Sequence, residues 1–269
     1  MAKVVVIMSV YHSDNSEYLL EAINSILSQT YYCDLYIYKD GELSDELNAT
    51  LQAFYSNERI TFFGCSKNNG LAHALNHLIK QALRSNYDYI ARMDSDDISF
   101  SERVERQVAF LDAHSEVDVL GTACSEFGAS FALKYKKLPH EHEDLKTFSI
   151  TRCPFIHPTV VFRANVFEGG NLYPTDTNLT EDMALWFILL SKNYRFANLD
   201  EVLLQYRLNE ATVERRKGLL KAFHEVSLRL KYMYILKQVT LKNFVLIISR
   251  LFFHCAPNKL LKFAYKKLR

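Results

Sequence analysis

Paired cysteines, a strong net charge and a long apolar span are all missing from this sequence, and each absence removes a class of function. The five cysteines (Cys33, Cys65, Cys124, Cys153 and Cys255) are odd in number and scattered. No two stand at a C-x-x-C spacing, so neither a disulfide framework nor a zinc knot organises the chain, and they read as buried reduced thiols. Lys and Arg number 32 against 31 Asp and Glu, a net charge of +1. Wholesale nucleic-acid binding needs a far more basic balance. Met1-Ala2-Lys3 runs straight into a β-branched stretch, without the charged leader or small-residue cleavage site of a signal peptide. The apolar stretch Leu241 to Phe253 falls short of the roughly 20 residues a membrane-spanning helix needs. No internal repeat or low-complexity linker breaks the chain.

What is present is an ordinary globular composition, 49% hydrophobic and 23% charged, over 269 residues. That length suits one large domain, or a domain with an appendage. Val4 to Val10 has the continuous apolar character of a strand buried on both faces. Residues 13–16 offer helix caps, and Leu19, Leu20, Ile23, Ile26 and Leu27 follow at helical spacing. Strands are expected at 35–38, 60–63, 87–93, 117–121 and 159–163. Helices are expected at 70–83, 101–114 and 180–191, with a shorter one around Leu47, Leu51 and Phe54. A hairpin is expected over 127–138, and from Val213 onward the chain reads as helix interrupted only by Pro257. Alternating strands and helices imply an α/β fold with a mostly parallel sheet.

Ligands of such sheets bind beyond the carboxyl ends of the strands. Four polar features fall there: Tyr11-His12, Asp40-Gly41, residues 67–70 (Lys-Asn-Asn-Gly) and Asp94-Ser95-Asp96-Asp97. Three carboxylates within four residues repel one another, and a cation or surrounding water must offset that cost. Carboxylate oxygens are hard ligands suited to Mg2+ or Mn2+, leaving positions a diphosphate can fill. A solvated acidic loop capping the helix at Ser101 is the plainer alternative.

In Met8-Ser9-Val10-Tyr11, Asp40-Gly41, Asn68-x-Gly70-Leu71-Ala72, Met93 to Asp97 and Glu181-Asp182, the sequence resembles the family-two inverting glycosyltransferases of GT-A fold, especially bacterial O-antigen and capsule enzymes. The resemblance covers roughly Val4 to Arg207. It implies that Asp40 bonds the uracil, that Tyr11 lies near the base and that Asn68 and Gly70 line the nucleotide site. It implies further that Asp94 faces the ribose side, that Asp96 ligates a Mn2+ or Mg2+ cofactor, and that Asp97 supports the turn or touches the donor sugar. Arg103 and Gln107, one helical turn apart, are expected to brace the acidic turn, the arginine through its carboxylates. Departures occur as well: Leu75 stands where many members carry Arg, leaving Lys67 or His73 as substitute cations.

Inverting transfer needs a base for the acceptor hydroxyl. The resemblance implies Asp182, with Glu181 contacting the acceptor; helix capping is the alternative for both. His157 and Trp186 are acceptor-site candidates, and Arg207 a residue that closes over the diphosphate. A His serving only as a structural hydrogen-bonder, a surface Arg and a core-packed Trp are the alternatives. Residues 1–212 are expected to form the GT-A domain, 1–98 taking the nucleotide-sugar and 99–212 the acceptor. The tail, 213–269, pairs Lys231, Lys237, Lys242, Arg250, Lys259, Lys262, Lys266, Lys267 and Arg269 with aliphatic and aromatic residues. It reads either as a basic amphipathic anchor on the inner-membrane surface or as a helical cap on the domain.

The expectation is therefore a cytoplasmic, peripherally bound enzyme that moves Gal or Glc from a UDP-sugar to a lipid-linked HexNAc, with no nucleic-acid partner. A sugar-nucleotide nucleotidyltransferase would instead show a Gly- and Lys-bearing loop after the first strand, where residues 9–13 (Ser-Val-Tyr-His-Ser) have neither. A non-catalytic nucleotide-sugar-binding scaffold would have no use for an acidic turn together with Asp182.

Overall fold

A computed structural model describes residues 1–177, 180–210 and 219–255. Its first half follows the expected alternation: β1 (Val4–Val10), α1 (Ser16–Leu27), β2 (Asp34–Asp40), α2 (Asp45–Gln52), β3 (Ile60–Cys65), α3 (Leu71–Arg84) and β4 (Tyr89–Arg92). Among the cap candidates Asn15 does the capping, accepting from the main-chain N–H groups of Glu17 and Tyr18 at 2.9 and 3.0 Å. The second half adds β5 (Ile98–Ser99), α4 (Arg103–Ala113), β6 (Val119–Phe127), α5 (His142–Ser149), β7 (Val161–Arg163), α6 (Asn165–Glu168), α7 (Glu181–Ser191) and β8 (Phe196–Arg207). Two helices follow, α8 (Leu219–Ile235) and α9 (Leu241–Cys255).

The eight strands form one sheet in the order β3-β2-β1-β4-β7-β6-β8-β5. β1, β2, β3 and β4 pair in parallel, as do β6 and β8, whereas β7 and β5 run against their neighbours. The pleat sends alternate residues of β1 to opposite faces. Val5 and Ile7 join a core with Leu75, Leu78, Phe155, Trp186 and Phe187, while Val4, Val6, Met8 and Val10 join one with Leu19, Ile23, Leu47, Val104 and Leu111. A sheet covered on both faces explains why its strands read as unbroken apolar runs.

Two expectations need correction. Residues 127–138 do not form a hairpin: β6 extends to Phe127 and the chain returns beside it through a single bridge, Cys124 to Lys136. The helical tail breaks at 236–240, between α8 and α9, rather than only at Pro257, which lies outside the described residues.

The inner side of the tail is a cap on the domain. Val226, Tyr232, Met233 and Ile247 belong to the core, and the ring of Tyr232 stacks on that of Phe187 at 4.8 Å. Arg229 is buried against the end of α5, donating to the carbonyls of Ser149 and Ile150 at 2.9 Å and pairing with Glu225. Arg250, expected to face lipid, pairs with Glu225 at 2.6 Å and bonds the Thr151 carbonyl. Removing Arg229 strands two buried carbonyls, each worth about 1–3 kcal/mol. Arg229→Ala is therefore expected to lower unfolding stability by about 2–6 kcal/mol and to expose α8 to limited proteolysis; denaturant melts and digestion check both.

Candidate active site

The connection leaving β1 covers one face of the sheet through α1, while α3, which leads into β4, covers the other. The carboxyl ends of β1 and β4 thus meet at a topological switch point, where an open α/β sheet leaves a crevice. Tyr11 and the acidic turn lie there. The turn is pinned from two sides. Arg103, fully buried, donates to the Arg92 carbonyl at 2.7 Å and to the Met93 sulfur, and its Nε meets Gln107 at 3.1 Å. Gln107 in turn donates to the carbonyls of Leu120 and Thr159. Both residues brace the turn as expected, but through main chain and sulfur, because Arg103 points into the core beneath the carboxylates.

The second support is the end of β8. The main-chain N–H of Arg207 donates to Asp97 at 2.7 Å, and its Nε donates to the Asp96 carbonyl at the same distance. Its guanidinium also pairs with Glu21 and lies 3.8 Å from the Tyr18 ring centroid and 4.4 Å from that of Phe127. In this structure Arg207 is occupied in holding the turn.

Asp94, Asp96 and Asp97 place ligand oxygens within 4.8 Å of one another. Asp14, seen in the sequence only as a cap candidate, joins them as a fourth carboxylate, accepting from the Ser95 hydroxyl at 2.8 Å and from the Tyr11 N–H at 3.1 Å. Crowding shows in the protonation equilibria. Desolvation by the surrounding turn, followed by the charges of Asp94 and Asp14, pushes the Asp96 carboxyl up to about 7, although one side of it stays open to solvent. Burial raises Asp97 well above the usual range and Asp14 to about 6. One Asp97 oxygen is buried with no hydrogen-bond partner. Hard oxygen donors, close spacing and an unmatched buried carboxylate oxygen fit a divalent cation, which would offset the mutual repulsion.

Asp40 is buried at the end of β2, and both its oxygens accept main-chain bonds, from Asn69 at 2.8 Å and Gly70 at 2.9 Å. It therefore fixes the 68–70 turn, where Asn68 also accepts from the Gly70 N–H. Gly41 has φ +91°, and a Cβ there would come within 2.9 Å of the Asn68 nitrogen, so the Asp-Gly pair is required for this approach. Leu75 is fully buried, and the substitute cations Lys67 and His73 are exposed.

Glu181 and Asp182 open α7. Burial raises the Glu181 carboxyl. Asp182 accepts from the Met183 N–H at 2.6 Å, and the Cys153 thiol, pushed by burial up to about 12, lies 3.8 Å from its other oxygen. Buried Tyr173 has its hydroxyl pKa raised foremost by that burial, and it feels the charges of Arg92, Asp182, Glu181 and Asp94 as well. Its hydroxyl bonds His157 Nε2 at 2.9 Å, and its main chain is clasped by Asn76, which accepts its N–H at 2.9 Å and donates to its carbonyl at 2.8 Å. Desolvation and the charge of Arg92 hold His157 well below its ordinary pKa, so it acts as a neutral hydrogen-bonder. Trp186 is not an acceptor platform. It is fully buried among Phe155, Phe162 and Phe196, since α7 is apolar on every side.

Sequence reasoning missed Arg92, Asp14, Glu21 and Tyr173. Only Arg92 left a legible trace, as a charge inside an otherwise apolar strand.

The sequence matches the family described as glycosyl transferase family 2 over residues 5–168. It is 32% identical over 271 residues to the Escherichia coli UDP-Gal:alpha-D-GlcNAc-diphosphoundecaprenol beta-1,3-galactosyltransferase, covering 98% of this chain and 95% of that protein. It is 31% identical to the amylovoran biosynthesis glycosyltransferase AmsE of Erwinia amylovora, covering 98% of each. Among solved structures, S. aureus TarS 1–349 in complex with UDP-GlcNAc superposes with a TM-score of 0.67 at 16% identity, over 98% of this chain and 88% of that one. Mannosyltransferase PcManGT of Pyrobaculum calidifontis, in complex with GDP-Man and Mn2+, gives 0.64 at 16%, over 98% and 72%. The fold is thus the GT-A fold of known glycosyltransferases, and the acidic turn stands within the matched segment. With a family match across most of its length and relatives alike from end to end, the chain belongs to glycosyl transferase family 2.

Proposed function

We propose that this glycosyltransferase moves a hexose, Gal or Glc, from a UDP-sugar to a HexNAc carried on a polyprenyl diphosphate, with inversion to a β-linkage, in O-antigen or capsule synthesis. The observation that carries this reading is the cluster of Asp94, Asp96 and Asp97 carboxylates at the carboxyl end of β4, spaced as a divalent cation needs. The E. coli relative, which acts on GlcNAc-diphosphoundecaprenol, supports the acceptor class.

In this reading Asp96 holds Mg2+ or Mn2+ with Asp94 beside it, and Asp97 ties the turn to β8. When bound, the cation neutralises charge on the departing nucleoside diphosphate as a Lewis acid. Tyr11, Asn68 and Gly70 border the nucleotide, with Asp40 fixing their turn and reaching the uracil through its remaining lone pairs. Arg207 bounds the diphosphate side. Asp182 takes the proton of the attacking acceptor hydroxyl, Glu181 orients that sugar, and His157 sets the wall behind it through Tyr173.

Membrane contact belongs to the same reading. Among the described residues no helix is long and apolar enough to cross a membrane. The outer side of the tail nevertheless exposes Tyr234, Ile235, Val239, Leu241, Phe244, Val245 and Leu246, beside exposed Lys231, Lys237 and Lys242. An apolar row with basic neighbours suits an anionic lipid surface, where a polyprenyl-linked acceptor resides.

Purified protein with Mn2+, a panel of UDP-hexoses and a synthetic HexNAc-diphospholipid should yield a β-linked disaccharide lipid; failure with every UDP donor would exclude the donor class. Asp96→Ala should abolish Mn2+-dependent UDP binding in calorimetry. Asp182→Asn should spare that binding and lower kcat by about 100- to 10,000-fold, the range of a general base; joint loss of both would reject the assignment. The double variant Phe244→Asp, Leu246→Asp should no longer float with anionic vesicles, and unchanged flotation would refute the membrane contact.

A further inference from the structure

A cavity of about 800 Å3 opens between α3 and α7, and the donor chemistry does not account for it. α3 supplies His73, His77 and Lys80, which follow at steps of four and three residues and so share one side of the helix. α7 supplies Ile188, and Lys192 stands one turn further on at the helix end. The segment from Gly170 to Asp176 closes the cavity, held to α3 by the Asn76–Tyr173 clasp. Among the described residues that line it, Asp176 is the one carboxylate, set against two lysines and two histidines. Lys192 is anchored by Asn171, which accepts from its ammonium at 2.6 Å, and an ammonium carries further donors beyond that bond. Burial, then the charges of Arg84 and Lys80, lower the His77 pKa, so the field here is positive. Ammonium groups beside imidazoles suit the oxygens of a phosphate.

Resting on the glycosyltransferase reading, we propose that this cavity binds the diphosphate of the lipid-linked acceptor. Position favours the acceptor over the donor. The donor diphosphate belongs at the cation held by Asp96, whereas neither Tyr11 nor any carboxylate of the acidic turn lines the cavity. The acceptor side does lead into it. Ile188 and Lys192 stand seven and eleven residues after Glu181, spacings that return to one side of a helix. At 1.5 Å per residue the lining begins about 10 Å along α7 from Glu181, a length that a hexose and the two phosphates beyond it span. α7 also carries the tail, through Phe187 stacked on Tyr232, so one helix joins this cavity to the surface read as facing lipid.

The test pairs direct binding with acceptor kinetics on the full chain. In metal-free buffer, calorimetry with inorganic pyrophosphate and with farnesyl diphosphate would compare wild type, Lys80→Ala, Lys192→Ala and the double variant. Both lysines are exposed, so these variants should fold, which a thermal melt verifies. The double variant should bind farnesyl diphosphate about 10- to 100-fold more weakly, having lost two charged contacts. Its Mn2+-dependent affinity for UDP should stay as in wild type. With Mn2+ and saturating donor, its KM for a HexNAc-diphospholipid should rise by a similar factor while kcat stays within about twofold. A HexNAc on an uncharged alkyl chain should be used as well as by wild type, and Lys80→Arg with Lys192→Arg should keep most of the affinity. A wild type that binds neither diphosphate, or a double variant that binds both as before, would overturn the proposal. So would equal KM losses for charged and uncharged acceptors, or a matching loss of UDP affinity, which would put the donor in the cavity. Weakened binding of both diphosphates with an unaltered acceptor KM would overturn the acceptor as occupant and leave the cavity to free diphosphates. Wild type that binds farnesyl diphosphate through the two lysines, yet transfers from no UDP-hexose, would sink the glycosyltransferase reading and the acceptor with it.

Discussion

Asp94, Asp96 and Asp97 repel one another at the end of β4, and much of the surrounding chain is arranged to hold them together. Three arginines do so in three ways. Arg92, from the strand itself, pairs with a carboxylate. Arg103, from α4, holds the main chain beneath the turn. Arg207, from the last strand, ties down the main chain above it and is itself steadied by Glu21 and two aromatic rings. Asp96 is left open to solvent while Asp97 is sealed beneath it, and desolvation together with the mutual charge raises the protonation equilibria of both.

The second half of the chain completes that arrangement. β8 runs parallel to β6 and antiparallel to β5, and this brings Arg207 back over a turn more than a hundred residues earlier in sequence. β7, antiparallel to β4, continues the sheet from the switch point outward and leads into the segment that carries Tyr173 and the start of α7. The acidic turn and the Glu181–Asp182 pair thus hang from connections of one sheet rather than from separately folded parts.

The first half was legible in the sequence because its signals are short-range. Val4–Val10 and the heptad-like spacing of α3 report burial directly, and Asp94 to Asp97 stands out as clustered charge. β8 was not among the strands expected from the sequence. Asn198, Asp200 and Glu201 interrupt its apolar pattern, and register shifts beside Thr122 and Ala123 break its pairing with β6. α5 is short and buries only Leu145 and Ser149. Asp14 owes its role to Ser95, 81 residues away, which no periodicity reports. The tail reads as helical, but apolar residues on both its faces hide which side the domain covers and which it leaves to solvent.

The clasp between Asn76 and Tyr173 carries a consequence of its own. One side-chain amide supplies both a donor and an acceptor to the same residue's main chain, imitating a rung of sheet between a helix and a loop. An aspartate lacks the donor and an alanine lacks both, so no other short side chain reproduces it. The loop that carries Tyr173 is therefore held in register with α3 at one point, like a hinge pin set closed. Sequence change in this region has little freedom to slide the loop as a unit; it must proceed through the side chains that the loop presents.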